Sequence, residues 1–140
     1  MTSRLSSNNK TNNKKKRILF VDDEPDLTSL IKKALESAGF SVTVFNNSAD
    51  ALKVFRPRYY DLVMLDIVMP KVDGFDLYKE LRKVDPDVKV CFLTASEKYR
   101  EDLRKGEYQT LRKDLFIQKP VSIKDLTKEI HKRIGKKDRL

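Results

Sequence analysis

The chain has 140 residues, 39% of them hydrophobic, which is enough for one packed core and one domain. Its formal charge of +9 points towards polyanions, but residues 1–17 supply +6 of it and residues 18–140 only +3. No run approaches the ~18 apolar residues of a membrane span, and a single cysteine, Cys91, excludes an internal disulfide and paired-cysteine zinc sites.

Residues 1–16 are rich in Ser, Asn and Lys and almost free of apolar side chains, so they are expected to form a disordered basic tail. It does not have the apolar stretch of a signal peptide, and the protein is expected to be cytoplasmic. A globular unit then spans residues 17–135, and a short basic end covers 136–140.

Arg17-Ile18-Leu19-Phe20-Val21 reads as a short strand running into Asp22-Asp23-Glu24. Pro25 suits the first turn of a helix whose inner stripe is Leu27, Leu30, Ile31, Ala34, Leu35 and Ala38, closed by Gly39. Val42-Thr43-Val44-Phe45 is the second strand. Ser48 is the expected cap of a helix carrying Ala51, Leu52 and Phe55, which Pro57 ends. The third strand is the apolar run up to Asp66. A helix starting near Asp73 should turn Leu77, Leu81 and Val84 inward and close at Asp85-Pro86.

Val88 to Leu93 is the fourth strand, running into Thr94-Ala95-Ser96. Leu115-Phe116-Ile117 is the fifth, running into Gln118-Lys119-Pro120. Between them, residues 96–114 predict a further helix, interrupted at Gly106. Ser122 and Asp125 resemble a capping box for a last helix with Ile123, Leu126, Ile130 and Ile134 inward. Strands alternating with helices predict an α/β fold, a doubly wound parallel sheet with right-handed crossovers.

The polar signals fall at strand C-terminal ends: Asp22 and Asp23, Asp66, Thr94 and Lys119. A parallel sheet gathers those ends on one edge, where open α/β sheets bind ligands. Clustered carboxylates repel one another and call for a hard cation such as Mg²⁺. A hydroxyl and an ammonium beside them suit phosphoryl oxygens, and a carboxylate can itself act as nucleophile to give an acyl phosphate. Taken singly, each residue has a plainer reading. Asp22 or Asp23 would cap a helix, Thr94 would end a strand, and Lys119 would be a solvated surface lysine.

Four pieces together resemble the response regulator receiver domain (CheY-like): Val21-Asp22-Asp23-Glu24, Leu65-Asp66 with Met69-Pro70-Lys71-Val72-Asp73-Gly74, Leu93-Thr94-Ala95, and Lys119-Pro120. The resemblance covers about residues 17–135. It implies a flavodoxin-like five-stranded sheet of order 2-1-3-4-5. It also implies a single-domain member of a two-component phosphorelay, in which Asp66 accepts phosphate from a sensor histidine kinase, a phosphotransfer protein or a small donor. Asp23, Asp66 and the Val68 carbonyl would bind Mg²⁺ directly, and Asp22 would reach it through water. Thr94, the Ala95 amide and Lys119 would hold the phosphoryl oxygens. Thr94 and Phe116 would act as the switch pair, changing contacts at the face made by residues 96–114, the fifth strand and the last helix.

Two positions depart from the family's usual pattern. Leu111-Arg112-Lys113-Asp114 replaces a Gly-Ala turn, and Val68 is apolar where many members are polar. On the resemblance the protein is a phosphoacceptor rather than an enzyme, limited to slow Mg²⁺-dependent self-phosphorylation and self-dephosphorylation. Its downstream target would be another protein, with phosphorylation-dependent homodimerisation one form of output. No reader helix follows the domain, so direct DNA contact is not expected. Three rivals stand beside this reading. A haloacid-dehalogenase-like phosphatase needs a second Asp where Val68 stands, a constitutive scaffold would ignore phosphorylation, and a nucleic-acid binder would use the basic ends.

Overall fold

The computed structural model describes residues 15–69, 73–94, 115–119 and 121–135. The expected tail up to residue 14, the Pro70–Val72 part of the third motif, Ala95, the helix over 96–114, Pro120 and the basic end at 136–140 lie outside them.

Five strands form one parallel sheet: β1 (Arg17–Val21), β2 (Ser41–Phe45), β3 (Leu62–Asp66), β4 (Val90–Thr94) and β5 (Phe116–Gln118), in the order β2-β1-β3-β4-β5. The predicted topology is the one observed. Register brings the strand ends level, with Val21 opposite both Phe45 and Leu65, Asp66 opposite Leu93, and Thr94 opposite Gln118.

Alternation along the strands divides the core in two. Leu19, Val21, Val63, Leu65 and Phe92 face the side covered by α2 (Ser48–Val54) and α3 (Gly74–Val84). Ile18, Phe20, Met64, Cys91 and Leu93 face α1 (Pro25–Ser37) and α4 (Ile123–Gly135). Strands β3 and β4 are buried along their whole length, which is why they read as unbroken apolar runs.

The helix starts follow local chemistry. Pro25 opens α1, and Glu24 at its N-cap makes no side-chain capping bond. The cap of α2 is Asn47, not Ser48: the Asn47 side chain accepts from the Asp50 amide at 2.8 Å, and Ser48 is buried as the first helical residue. Asn is as strong a cap as Ser, and it stands one residue earlier. Asp73 caps α3 through the Asp76 amide, and Ser122 accepts from the Asp125 amide ahead of α4.

Some residues expected inside are outside. In α1 the buried line is Thr28, Ile31 and Leu35, because the Thr28 hydroxyl is satisfied internally, donating to the Pro25 carbonyl and accepting from Asn46. Leu30 lies well off that line and is 59% exposed, and Ala38 ends the helix in solvent. In α3 the inward set is Phe75, Leu77 and Leu81, which leaves Val84 exposed on the last turn. The apolar stripes of α1 and α3 are therefore narrower than their spacing suggests.

Candidate functional site

The carboxyl ends of β1, β3, β4 and β5 carry the polar residues singled out above. Asp22, fully buried, follows β1. Its amide donates to the Phe45 carbonyl, and its Oδ1 accepts from the Glu24 amide at 3.0 Å. The side chain of Asn46 donates both to the Asp22 carbonyl and to the Thr28 hydroxyl. Asp22 is therefore fixed in both backbone and side chain.

Asp66 ends β3 and is also buried. Oxygens of Asp22, Asp23 and Asp66 lie within 4.8 Å of one another. Lys119, just past β5, reaches across: its Nζ lies 3.0 Å from Asp22 Oδ2 and 3.3 Å from Asp66 Oδ1. Its own amide donates to the Thr94 carbonyl at 2.7 Å, which joins the ends of β4 and β5. Thr94 is buried at the same level. The structure thus brings Asp22, Asp23, Asp66 and Lys119 together and places Thr94 at the end of the strand beside Asp66. Ala95 lies outside the described residues.

One ammonium does not balance three carboxylates. Burial and the neighbouring Asp22 charge push the Asp66 carboxyl up to about 6, against the pull of Lys119. Burial on its own would lower the Lys119 ammonium, yet its hydrogen bond to Asp22 and the charges of Asp22 and Asp66 raise it overall. A proton or a cation relieves the surplus negative charge. The donor set consists only of carboxylate oxygens, hard ligands that fit Mg²⁺.

Two features were not anticipated. Gly74 closes the site from below: its amide donates to the Ile67 carbonyl at 2.9 Å, and a Cβ there would overlap the Asp66 carbonyl oxygen. Asn46 is the other, a polar residue directly after β2 on the same edge. Val68, two residues past Asp66, presents its side chain to solvent, 59% exposed. Phe116 is buried, stacked on Phe92 at 5.4 Å and edge-on to Phe75 at 6.2 Å.

A sheet of this order with an acidic edge at its carboxyl ends is the architecture of CheY-like receiver domains. Residues 18–131 match the family model of the response regulator receiver domain, and the chain belongs to that family. It is 34% identical over 119 residues to the response regulator receiver protein CpdR of Brucella abortus, covering 85% of this chain and 97% of that one. The probable transcriptional regulator ycf27 of Pyropia yezoensis is 35% identical over 128 residues, 91% of this chain but 51% of the relative. The chain therefore spans nearly all of one curated relative and about half of others.

Among solved structures, the non-phosphorylated HemR receiver domain of Leptospira biflexa superposes with a TM-score of 0.76 at 32% identity, covering 90% of this chain and 99% of that one. The response regulator TrrA of Thermotoga maritima, in complex with Mg²⁺ and BeF, gives 0.68 at 35% identity over 84% and 97%. The protein is thus a receiver domain of two-component signalling, a family of phosphoacceptors that bind Mg²⁺ at an acidic pocket and work with histidine kinases or phosphotransfer proteins. Among the described residues no helix is long and apolar enough to cross a membrane.

Proposed function

We propose that Asp66 is the phosphoacceptor, taking its phosphoryl group from a phosphohistidine of a sensor kinase or phosphotransfer protein, or from a small acyl phosphate. The supporting observation is the bridge of Lys119 between Asp22 and Asp66, which draws residues of β1, β3 and β5 into one site. An Asp66 oxygen attacks phosphorus, and the bond from phosphorus to the donor nitrogen or oxygen breaks. The electron pair leaves with the donor. Lys119 moves from Asp66 Oδ1 to the incoming phosphoryl oxygens as a compact positive charge.

Asp23, Asp66 and the Val68 carbonyl would hold Mg²⁺, with Asp22 acting through water, and the ion when bound neutralises charge on the phosphoryl oxygens. Asp22 keeps one oxygen on the Glu24 amide throughout. Thr94 and the Ala95 amide complete the phosphoryl contacts. Thr94 drawn onto the phosphate leaves room for Phe116 to reorient, which changes the surface of β5 and α4 offered to a downstream protein or to a second copy of the chain. Turnover is limited to slow Mg²⁺-dependent gain and loss of the phosphoryl group. This reading carries with it the cytoplasmic location expected from the sequence.

Intact-mass measurement after incubation with Mg²⁺ and acetyl phosphate tests the reading. The wild type gains one phosphate and Asp66→Asn gains none. Unmodified wild type that is folded and binds Mg²⁺ would instead favour a constitutive scaffold.

A further inference from the structure

The net positive charge of this chain comes from its two ends. Residues 1–17 contribute +6 and residues 132–140 contribute +4, one more than the whole chain's +9, so residues 18–131 carry −1. The topology brings the ends together. β1 starts at Arg17, and α4, running back against the strands, stops at Gly135. The Lys89 ammonium ahead of β4 reaches the Arg133 carbonyl at 3.4 Å, which puts the end of α4 on the edge where the strands begin. That edge is opposite to Asp66.

The described residues of this edge add a second observation. Tyr59, in the loop before β3, has two guanidiniums against its ring, Arg17 at 4.0 Å and Arg56 at 3.9 Å from the centroid. Arg58 follows two residues on, and Arg56 and Arg58 are both exposed. Two of the local acids are occupied by backbone. Asp61 accepts from the Arg17 amide at 2.7 Å, and Asp85 accepts from the Arg58 and Asp87 amides. Against Asp61, Asp85 and Asp87 stand Lys15, Lys16, Arg17, Arg56, Arg58 and Lys89, so the edge is cationic on balance.

We propose that this edge holds the phosphate backbone of nucleic acid, without reading bases and whatever the state of Asp66. The exposed Arg56 and Arg58 offer guanidinium N–H groups to phosphate oxygens. Like charges held this close are relieved by a polyanion, and counterion release supplies the affinity. A bilayer would require an inserted apolar element as well, whereas the aromatic here is covered by arginines. The expectation of no direct DNA contact rested on the want of a reader helix, and backbone binding requires none. The consequence is a receiver tethered by one edge with its phosphorylation edge free.

The test is fluorescence anisotropy of a labelled random-sequence DNA duplex with the full chain. With about four phosphates neutralised, affinity falls about 100-fold between ~50 and ~200 mM salt. Arg56→Glu with Arg58→Glu lowers it at least about tenfold and makes the salt dependence shallower by about two. Lys124→Glu with Lys128→Glu makes the same charge change on the first turns of α4, near the other edge, and leaves affinity within about threefold. Equal loss in both pairs, salt-independent binding, no binding at ~50 mM salt, or tighter binding to phosphatidylserine vesicles than to DNA overturns the proposal. If the Arg56/Arg58 pair melts early, Arg56→Gln with Arg58→Gln carries the same comparison.

Discussion

Gly74 and Asp66 are in backbone contact: a Cβ on Gly74 would overlap the Asp66 carbonyl oxygen and stand 2.9 Å from the Ile67 Cα. The first turn of α3 thus rests directly on the strand that presents Asp66, the proposed phosphoacceptor. No flexible side chain intervenes to absorb an added methyl, so the backbone itself must move.

Gly74→Ala should therefore lower stability by about 1–3 kcal/mol, the usual cost of overpacking. It should also slow phosphorylation by acetyl phosphate, because the strain falls on Asp66. Urea unfolding and intact-mass time courses measure the two effects. An alanine variant with wild-type stability would show that α3 can lift away at no cost.

Arg58 is the one described non-glycine residue with positive φ, at 56°. The Asp85 carboxylate holds it there, accepting its amide at 2.9 Å while the other oxygen takes the Asp87 amide at 3.1 Å. Asp85→Ala leaves both amides without this partner and should cost about 1–3 kcal/mol. Arg58→Gly should be neutral or stabilising by up to about 1 kcal/mol, since glycine adopts this conformation freely. Thermal melts should show a clear drop for Asp85→Ala and none for Arg58→Gly.

Cys91 lies inside β4, and burial pushes its thiol up to about 12, Glu129 adding to the effect and Arg133 opposing it. The folded protein should therefore resist iodoacetamide at pH 8 and react fully once unfolded. Because unfolding returns the thiol to about 9, its contribution to stability is intact below that value and declines as pH rises towards 12. Rapid alkylation of native protein would mean that β4 opens locally.

The Val68 side chain, though well exposed, offers no hydrogen-bonding group beside the proposed phosphoryl site. It cannot orient a water for attack on an acyl phosphate, so the phosphorylated state should be long-lived. Val68→Asn should shorten its lifetime by about tenfold by positioning that water. Loss of added mass after removal of the donor gives both rates. A lifetime of seconds in the unaltered protein would exclude this account.

The sheet and the central site were legible because two signals coincide. Buried parallel strands must be apolar throughout, and their C-terminal ends must meet, so Asp22, Asp66, Thr94 and Lys119 each announced themselves where an apolar run stopped. The surroundings were less legible. Leu30 and Val84 satisfy a helical spacing yet face solvent, because spacing gives a helix face but not the width of the surface that covers it. The contact of Gly74 with β3 depends on how closely two elements approach, which sequence does not encode locally. Asn46 reads as an ordinary turn residue until the ends of β1 and α1 are seen on either side of it.

Asn46 has one last implication. By tying the Asp22 carbonyl to the Thr28 hydroxyl at 2.9 and 3.0 Å, it pins the acidic wall to the β1–α1 junction. That wall is an anvil: Asp22 is held before any ligand arrives, so little ordering remains to be done there. In the proposed switch the yielding falls on the opposite side, at Thr94 on the end of β4 and Phe116 on the neighbouring β5. The asymmetry gives the proposed response a direction, from the fixed β1 wall towards the β5 margin of the sheet.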